Sequence, residues 1–367
     1  MHTEKKFSAG LLLALTLITI LPLEPFRFHI VLLAALIVGA SLFFLEKWTI
    51  QDVIKLLLTA ALAGLCALVQ IPETRSLYDL KDLARWIPVL LLLGKSLVRQ
   101  DLFSKGFYWI ILVFTTFDAL ILLLGFSDNI RQRWYEAAVT ADMFEYIHGY
   151  YRHIGILGNP NSSSLLYVIF ILWLLSYVSK SPEGLRRNVS ILLTLISLIL
   201  LIATMSRTGF ICLSAALIFS KSKFKLPLFL FLIIILVILI NFGGSHFEVL
   251  FIRFADSSGL TAGTERIELS QEIFDAMYRG NFWFGGGEKF SVTDNDYLML
   301  LSRFGVIGGI CFLLIFFGRG LVQALRFRMG NSLRLQLLVV VLVSSFAGGV
   351  IGYPGLLILA LILMRVG

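Results

Sequence analysis

The stretch V-T-D-N-D-Y-L-M-L-L-S-R-F-G-V-I-G-G, residues 292–309, passes from a polar loop into an apolar run that continues to residue 317. An Asp-Asn-Asp cluster, Asp294, Asn295 and Asp296, stands at the mouth of that run. Before it lie a polar segment, T-E-R-I-E-L-S-Q-E-I-F-D-A-M-Y-R at 264–279, and a glycine-rich run, G-N-F-W-F-G-G-G at 280–287. A membrane-spanning helix needs about 20 apolar residues. The segment 294–317 therefore reads as a span with a chemically rich loop at its start. The rest of the chain reads as a scaffold that holds this loop at one membrane face.

Composition points the same way. Hydrophobic residues make up 58% of the chain and charged residues 15%, against about a quarter charged in an ordinary globular domain. A soluble fold is excluded on that ground. The run after Lys6 lacks a small-residue cleavage site and reads as the first membrane helix. The net charge of +8 suits loops that face cytoplasm and anionic lipid, and no nucleic-acid partner is inferred from it. Cys66, Cys212 and Cys311 all fall in apolar runs, and the five histidines show no i,i+4 pairing. No metal site and no cofactor are expected.

The fold class expected is an all-α integral membrane protein, one polytopic domain over residues 1–367. Roughly twelve spans can be drawn: 7–23, 29–45, 52–71, 85–98, 106–126, 161–179, 188–204, 207–220, 226–242, 294–317, 334–347 and 350–365. Lys5 and Lys6 place the N-terminus inside, and the even-numbered connections then lie inside as well. Those connections carry Lys47, then Arg99 and Lys105, then Lys180, Arg186 and Arg187. Lys221, Lys223 and Lys225 follow, then Arg319, Arg326, Arg328 and Arg334, with Arg365 at the C-terminal end. This is the positive-inside pattern, with both termini cytoplasmic.

The same alternation puts two larger loops outside, 127–160 and 243–293. Long loops more often carry function than short ones. These two hold arginines that orientation does not require: Arg131, Arg133, Arg152, Arg253, Arg266 and Arg279. Any one of them suits a solvated face; as a group they suit an anionic ligand. The first loop also carries Trp134, Tyr135, Phe144, Tyr146, Tyr150 and Tyr151, which can stack on sugar rings or anchor at lipid headgroups. The second can form an amphipathic helix over 265–278 with Ile267, Phe274, Met277 and Tyr278 as its apolar stripe.

Three expected outer helix starts are polar: Gly158-Asn159-Pro160-Asn161, Ser206-Arg207-Thr208-Gly209 and Asp294-Asn295-Asp296-Tyr297. Asparagine and serine cap helices, and proline suits the first turn. Ordinary capping accounts for Asn159, Asn161 and Ser206, but not for Arg207 between two apolar runs. Helix N-termini carry free N–H groups and partial positive charge. With Arg207 and Arg266 added, they suit a diphosphate gripped by guanidinium forks. Two charges lie deeper, Asp118 in the fifth span and Arg303 in the tenth, each about 12–14 Å from its outer helix end at 1.5 Å per residue. Their similar depth suggests a pair; Arg303 can alternatively reach the diphosphate.

On these motifs the chain resembles the O-antigen polymerase and O-antigen ligase superfamily. That pattern has a G-N-P-N element opening one helix and an S-R-x-G element opening another. A late extracytoplasmic loop carries an arginine and a Gly-rich turn. A His-Asn or Asp-Asn pair then opens a helix reading Y-L-x-L-L…G-x-x-G. The matching positions are 158–161, 206–209, Arg266, 285–287 and 294–308, so the detailed resemblance covers roughly the second half of the chain.

The resemblance implies metal-independent glycosyl transfer at the periplasmic or exterior face of a bacterial inner membrane. The donor is a glycan on undecaprenyl diphosphate. Polymerases pass the chain to the next lipid-linked repeat of O-antigen, capsule or exopolysaccharide. Ligases pass it to the lipid A core of lipopolysaccharide. Ligases carry a histidine before the asparagine where this chain has Asp294, which favours polymerase. Asp294 is then the general base, with Glu265, Glu268 and Asp296 as rivals. Arg207 and Arg266 stabilise the leaving diphosphate. Asn295 and Tyr297 orient a sugar hydroxyl, and Arg152, Asn159, Asn161, Glu265, Arg279 and Arg303 complete substrate binding. Membrane lipid and a chain-length regulator protein are the partners this implies. A different class, a lipid-linked oligosaccharide transporter or flippase without chemistry, fits the span count as well. Transporters, however, show internal repeats and broken helices, and no half-to-half similarity is visible here.

Overall fold

The protein is described by a computed structural model. The residues it describes are 2–21, 27–45, 100–124, 146–147, 150–151, 153, 155–157, 159–180, 184–204, 206–220, 305–311, 332–347 and 354–366, together with 50, 53, 54, 57, 61, 230, 271, 272, 275, 282, 283, 297, 298 and 301. Over these residues the chain is helical apart from one small ladder. The helices are α1 (His2–Ile20), α2 (Arg27–Leu45), α3 (Gln100–Leu124), α4 (Pro160–Lys180), α5 (Leu185–Ala203), α6 (Arg207–Ile218), α7 (Ser332–Ser344) and α8 (Pro354–Val366). The ladder pairs β1 (Tyr146–Ile147) with β2 (Tyr150–Tyr151), antiparallel, Tyr146 opposite Tyr151 and Ile147 opposite Tyr150.

Three helical stretches are long and apolar enough to cross a membrane: Asp101–Leu123, Pro160–Ser179 and Leu185–Ala203. Shorter apolar helices cover Ser8–Ile20, Ile30–Leu42, Arg207–Ile218, Leu333–Ser344 and Gly355–Met364. Each of these eight stretches coincides with one of the spans drawn from the sequence. The expected spans 52–71, 85–98 and 226–242 lie almost wholly outside the described residues.

The expected span 294–317 is not one unbroken helix. Gly305 has φ +63°, in the left-handed region that a helix interior does not visit. The next two N–H groups donate to loop carbonyls, Val306 to Phe282 and Ile307 to Trp283, each at 3.1 Å. The helical ladder is thus interrupted at Gly305, where the carbonyls of Phe282 and Trp283 take the two N–H groups that follow it.

The surface suits a membrane setting. α3 buries Phe103, Phe107, Ile111 and Phe114 on one face, yet exposes Trp109, Val113, Phe117, Leu120 and Leu123 on the other. A helix apolar on all sides needs an apolar surround. α2 does the same, with Leu33 58%, Ile37 56% and Phe44 84% exposed. Two buried hydroxyls, on α1 and α5, bond within their own helices. Thr16 bonds the Leu12 carbonyl at 2.7 Å, and Thr194 bonds that of Ser190 at 2.8 Å. That i−4 back-bonding lets hydroxyl side chains sit in an apolar span.

α4 is the hub. In its apolar window 83% of residues are buried, against 33% for Asp101–Leu123 and 44% for Leu185–Ala203. α4 and α5 form an antiparallel hairpin; α6 and α7 pack on α4, and α3 packs on α5 and α1. α8 closes the bundle against α1, α2, α4 and α7. An aromatic joint welds α3 to α4. Phe107 meets Trp173 edge-on at 5.0 Å, and Tyr177 stacks on both Trp173 and Tyr108.

Candidate functional site

The end of the bundle opposite the α4–α5 turn gathers the start of α4, the end of α5 and the start of α6. Asn159 caps α4: its Oδ1 accepts from the N–H groups of Asn161 at 2.9 Å and Ser162 at 3.2 Å. Pro160 follows as the first helical residue, where its missing N–H costs nothing. At the far side of the hairpin, Thr204 closes α5 by bonding its hydroxyl to the Leu201 carbonyl at 2.6 Å. Ser206 then opens α6 in an extended conformation (φ −91°, ψ 110°), its oxygen accepting from the Gly209 N–H at 3.4 Å.

These two starts meet. The Ser206 hydroxyl donates to Asn161 Oδ1 at 3.1 Å. The approach is close because Gly209 has no side chain. A Cβ there would lie 2.7 Å from the Ser164 side chain and 2.8 Å from Leu201 Cδ1. Small residues at such a crossing are the usual way for membrane helices to bring backbones together. The positive ends of two helix dipoles are thereby set side by side, with the exposed Arg207 at the first position of α6.

Beneath this junction lies a buried polar cluster. Asp118, His153 and Tyr167 are 1%, 5% and 1% exposed. The Tyr167 hydroxyl donates to Asp118 Oδ2. The Ile156 N–H reaches the same oxygen at 3.4 Å. His153 Nε2 lies 3.3 Å from the Tyr167 hydroxyl and 3.2 Å from Asp118 Oδ1. The latter is a close approach without an aligned hydrogen bond. The His153 and Tyr167 rings lie nearly parallel, 13° apart.

The expected partner of Asp118 was Arg303, which lies outside the described residues. Among the described residues the partners of this carboxylate are a phenol, an imidazole and a backbone amide. His153 and Tyr167 are the residues that sequence reasoning missed. Depth offered a signal for one of them. Asp118 sits six residues from the end of α3 and Tyr167 seven from the start of α4, so both lie about 9–11 Å deep at 1.5 Å per residue.

Among the expected site residues, Asn159, Asn161 and Arg207 are brought to this one junction. Tyr297 is anchored on the last turns of α7: its hydroxyl donates to the Leu342 carbonyl at 2.6 Å, and its ring meets Phe346 edge-on at 4.7 Å. Arg152, Glu265, Arg266, Arg279, Asp294, Asn295 and Arg303 are outside the described residues. So are the apolar positions expected to stripe the 265–278 helix, although Gln271, Glu272 and Asp275 are helical and exposed. Among the described residues there is no group of three or more His, Cys, Asp or Glu placed to hold a metal ion.

No protein-family model matches the chain, and no curated protein matches it in sequence. Fold and site together define a helical membrane protein with a capped, polar helix junction at one end of its bundle.

Proposed function

We propose that this chain is a polymerase of lipid-linked glycan repeats, a metal-independent glycosyltransferase acting at the outer face of a bacterial inner membrane. In this reading the chain crosses the membrane about twelve times, with both termini cytoplasmic and the loops 127–160 and 243–293 outside. The observation that carries the proposal is the Ser206–Asn161 hydrogen bond at 3.1 Å. It joins the G-N-P-N and S-R-T-G elements, 45 residues apart, into one surface with two helix N-termini and Arg207. Such a surface suits the diphosphate of a polyprenyl-linked glycan.

The chemistry then runs as follows. A hydroxyl of the acceptor repeat attacks the anomeric carbon of the donor. The carbon–oxygen bond to the diphosphate breaks, and the electron pair leaves on the diphosphate. Arg207 and Arg266 offset that charge. The hydroxyl proton passes to a carboxylate, Asp294 by preference over Glu265, Glu268 and Asp296. Asp294 in place of a histidine favours transfer to a second lipid-linked repeat over ligation to lipid A core.

A gel of surface polysaccharide tests this. Cells lacking the gene are complemented with wild type, Asp294→Asn or Arg207→Ala. Collapse of the ladder to a single repeat, rescued only by wild type, is the expected outcome. Long polymer that stays on its lipid carrier means ligase. Full-length polysaccharide in every strain sinks both enzyme readings.

A second reading, a transporter of lipid-linked oligosaccharide without chemistry, is favoured by one observation. The helix break at Gly305 (φ +63°) is the kind of discontinuity transporters place at their binding sites. The same gel separates the two, because a transporter does not require Asp294 as a base.

A further inference from the structure

We propose that Asp118, His153 and Tyr167 form a latch that positions the Asn161–Ser206 junction and Arg207 without touching the ligand. The three side chains are too deeply buried to meet a substrate, and an intramembrane carboxylate is retained at a cost that calls for a role. Their connections say what the role is. Residues 153, 155–157 and 159 lie between the latch and the cap of α4, and three helices pin them. Asp118 holds them to α3 through the Ile156 N–H at 3.4 Å. Ser163 holds them to α4 by accepting the Leu157 N–H at 3.3 Å. The His153 N–H donates to the Ala203 carbonyl at 3.0 Å. Ala203 is the last residue of α5, three positions before the Ser206 cap.

The turn between these anchors is specific. Gly155 has φ +61°, and a Cβ there would lie 2.5 Å from the Tyr167 hydroxyl and 2.6 Å from Ser163. The backbone is thus pressed directly against the latch, so the carboxylate, the turn and the cap can move only together. Asp118 and Tyr167 therefore act on the junction from below, and His153 acts on it from both its ring and its backbone. They are positioning residues. The importance of this placement rests on reading the Arg207 surface as the ligand site.

The test uses the full chain in membranes, with Cys66, Cys212 and Cys311 changed to alanine and Arg207→Cys as reporter. The rate of reaction with a membrane-impermeant maleimide is compared in the parent, Tyr167→Phe, Asp118→Asn, His153→Ala and His153→Gln. Thermal midpoints are read on the same preparations, and ladder length is read in matched strains that retain Arg207. The latch predicts that Tyr167→Phe and His153→Ala lower the labelling rate about threefold, because the exposed thiol at the first position of α6 reacts as a thiolate that the two helix N-termini favour only while the junction is in place. His153→Gln, which keeps a side-chain N–H donor, restores the parent rate. A lowered thermal midpoint with an unchanged labelling rate overturns the latch. If Asp118→Asn fails to fold, Tyr167→Phe and the two His153 variants still decide. Altered labelling with a full ladder in every strain, Arg207→Ala included, keeps the latch and sinks the polymerase. A ladder that collapses in Arg207→Ala, with labelling and ladder unmoved by every latch variant, sinks the latch and keeps the polymerase.

Discussion

Ser206 and Asn161 stand 45 residues apart in sequence and 3.1 Å apart in space. One serine oxygen thus does two things: it accepts the Gly209 N–H of its own helix and gives its proton to the helix beside it. Cap and crossing are a single structure. Removing an N-cap side chain costs about 0.5–2 kcal/mol. Ser206→Ala loses both the cap and the bridge and is expected near the top of that range. Asn161→Ala loses the bridge, so the double variant is expected to cost less than the sum, by about 0.5 kcal/mol or more. Unfolding of the purified protein in detergent, run as a double-mutant cycle, measures this. Simple additivity would mean that the bond contributes nothing.

Asp118 and Tyr167 predict a larger coupling. Asp118→Ala strands the Tyr167 hydroxyl and the Ile156 N–H in a dry interior, and each buried donor left without a partner costs about 1–3 kcal/mol. Tyr167→Phe is milder, about 1–2 kcal/mol, in line with side-chain hydrogen bonds inside membrane proteins. Asp118→Leu combined with Tyr167→Phe removes both polar partners and is expected to be more stable than Asp118→Leu alone. Thermal midpoints of the three variants decide. A double variant that falls below both singles contradicts the geometry.

Gly155 and Gly209 are expected to fail for different reasons when changed to alanine. Gly155 holds φ +61° against Tyr167 and Ser163, so alanine meets both backbone strain, about 1–2 kcal/mol, and a clash. Gly209 sits inside regular helix, and its alanine variant meets only the clash with Ser164 and Leu201. Overpacking of that kind costs about 1–3 kcal/mol, and Ser164→Gly removes both obstructing atoms of that side chain, Cβ and Oγ. Gly209→Ala is therefore expected to be partly rescued by Ser164→Gly, while Gly155→Ala is not rescued by Ser163→Gly. Expressed folded protein, read by size-exclusion chromatography, is the measurement.

How much of this was legible in the sequence depends on the physics behind each element. The described helices were visible because their apolar runs stand out from the polar connections, and three of them are long enough to cross a membrane. The caps at Asn159 and Ser206 were visible because helix starts need a local side-chain acceptor. The break at Gly305 had a weaker signal, a glycine in an apolar run, which read equally well as helix packing. Asp118 was recognised as a charge in need of a partner, but depth alone offered several candidates. Tyr167 sits at matching depth on a helix that only the folded bundle shows to be adjacent. His153 could not be reached from periodicity, because it lies on a loop that folds back under the helix ends.

The outward face of α3 tests the membrane setting. Val113 is 59% exposed in the middle of this helix, beside Trp109 and Phe117. In lipid, Val113→Asp opposes insertion by about 2.5–3.5 kcal/mol. In water the same change would raise solubility and leave the fold intact. The expected outcome is a several-fold fall in membrane-inserted protein, measured by fractionation with alkaline extraction. Ile111→Val, on the buried face of the same helix, serves as control and is expected to lower stability slightly without changing the inserted fraction.

Tyr297 separates anchoring from substrate orientation. Its hydroxyl donates to the Leu342 carbonyl near the end of α7, at 2.6 Å, while its ring lies against Phe346. A phenol has one proton to donate, and here that proton is committed to the protein. Tyr297→Phe is therefore expected to cost about 1 kcal/mol of stability and to leave polysaccharide length unchanged at equal amounts of folded protein. Asn295→Ala, two residues earlier, is expected to shorten the ladder if the Asp-Asn-Asp cluster contacts sugar. The decisive comparison is ladder length normalised to folded protein for the two variants side by side. A short ladder from Tyr297→Phe with an unchanged thermal midpoint would mean that the hydroxyl leaves Leu342 to meet the glycan. The segment from 297 onward would then have to move during turnover, with Gly305 as the natural place for it to bend.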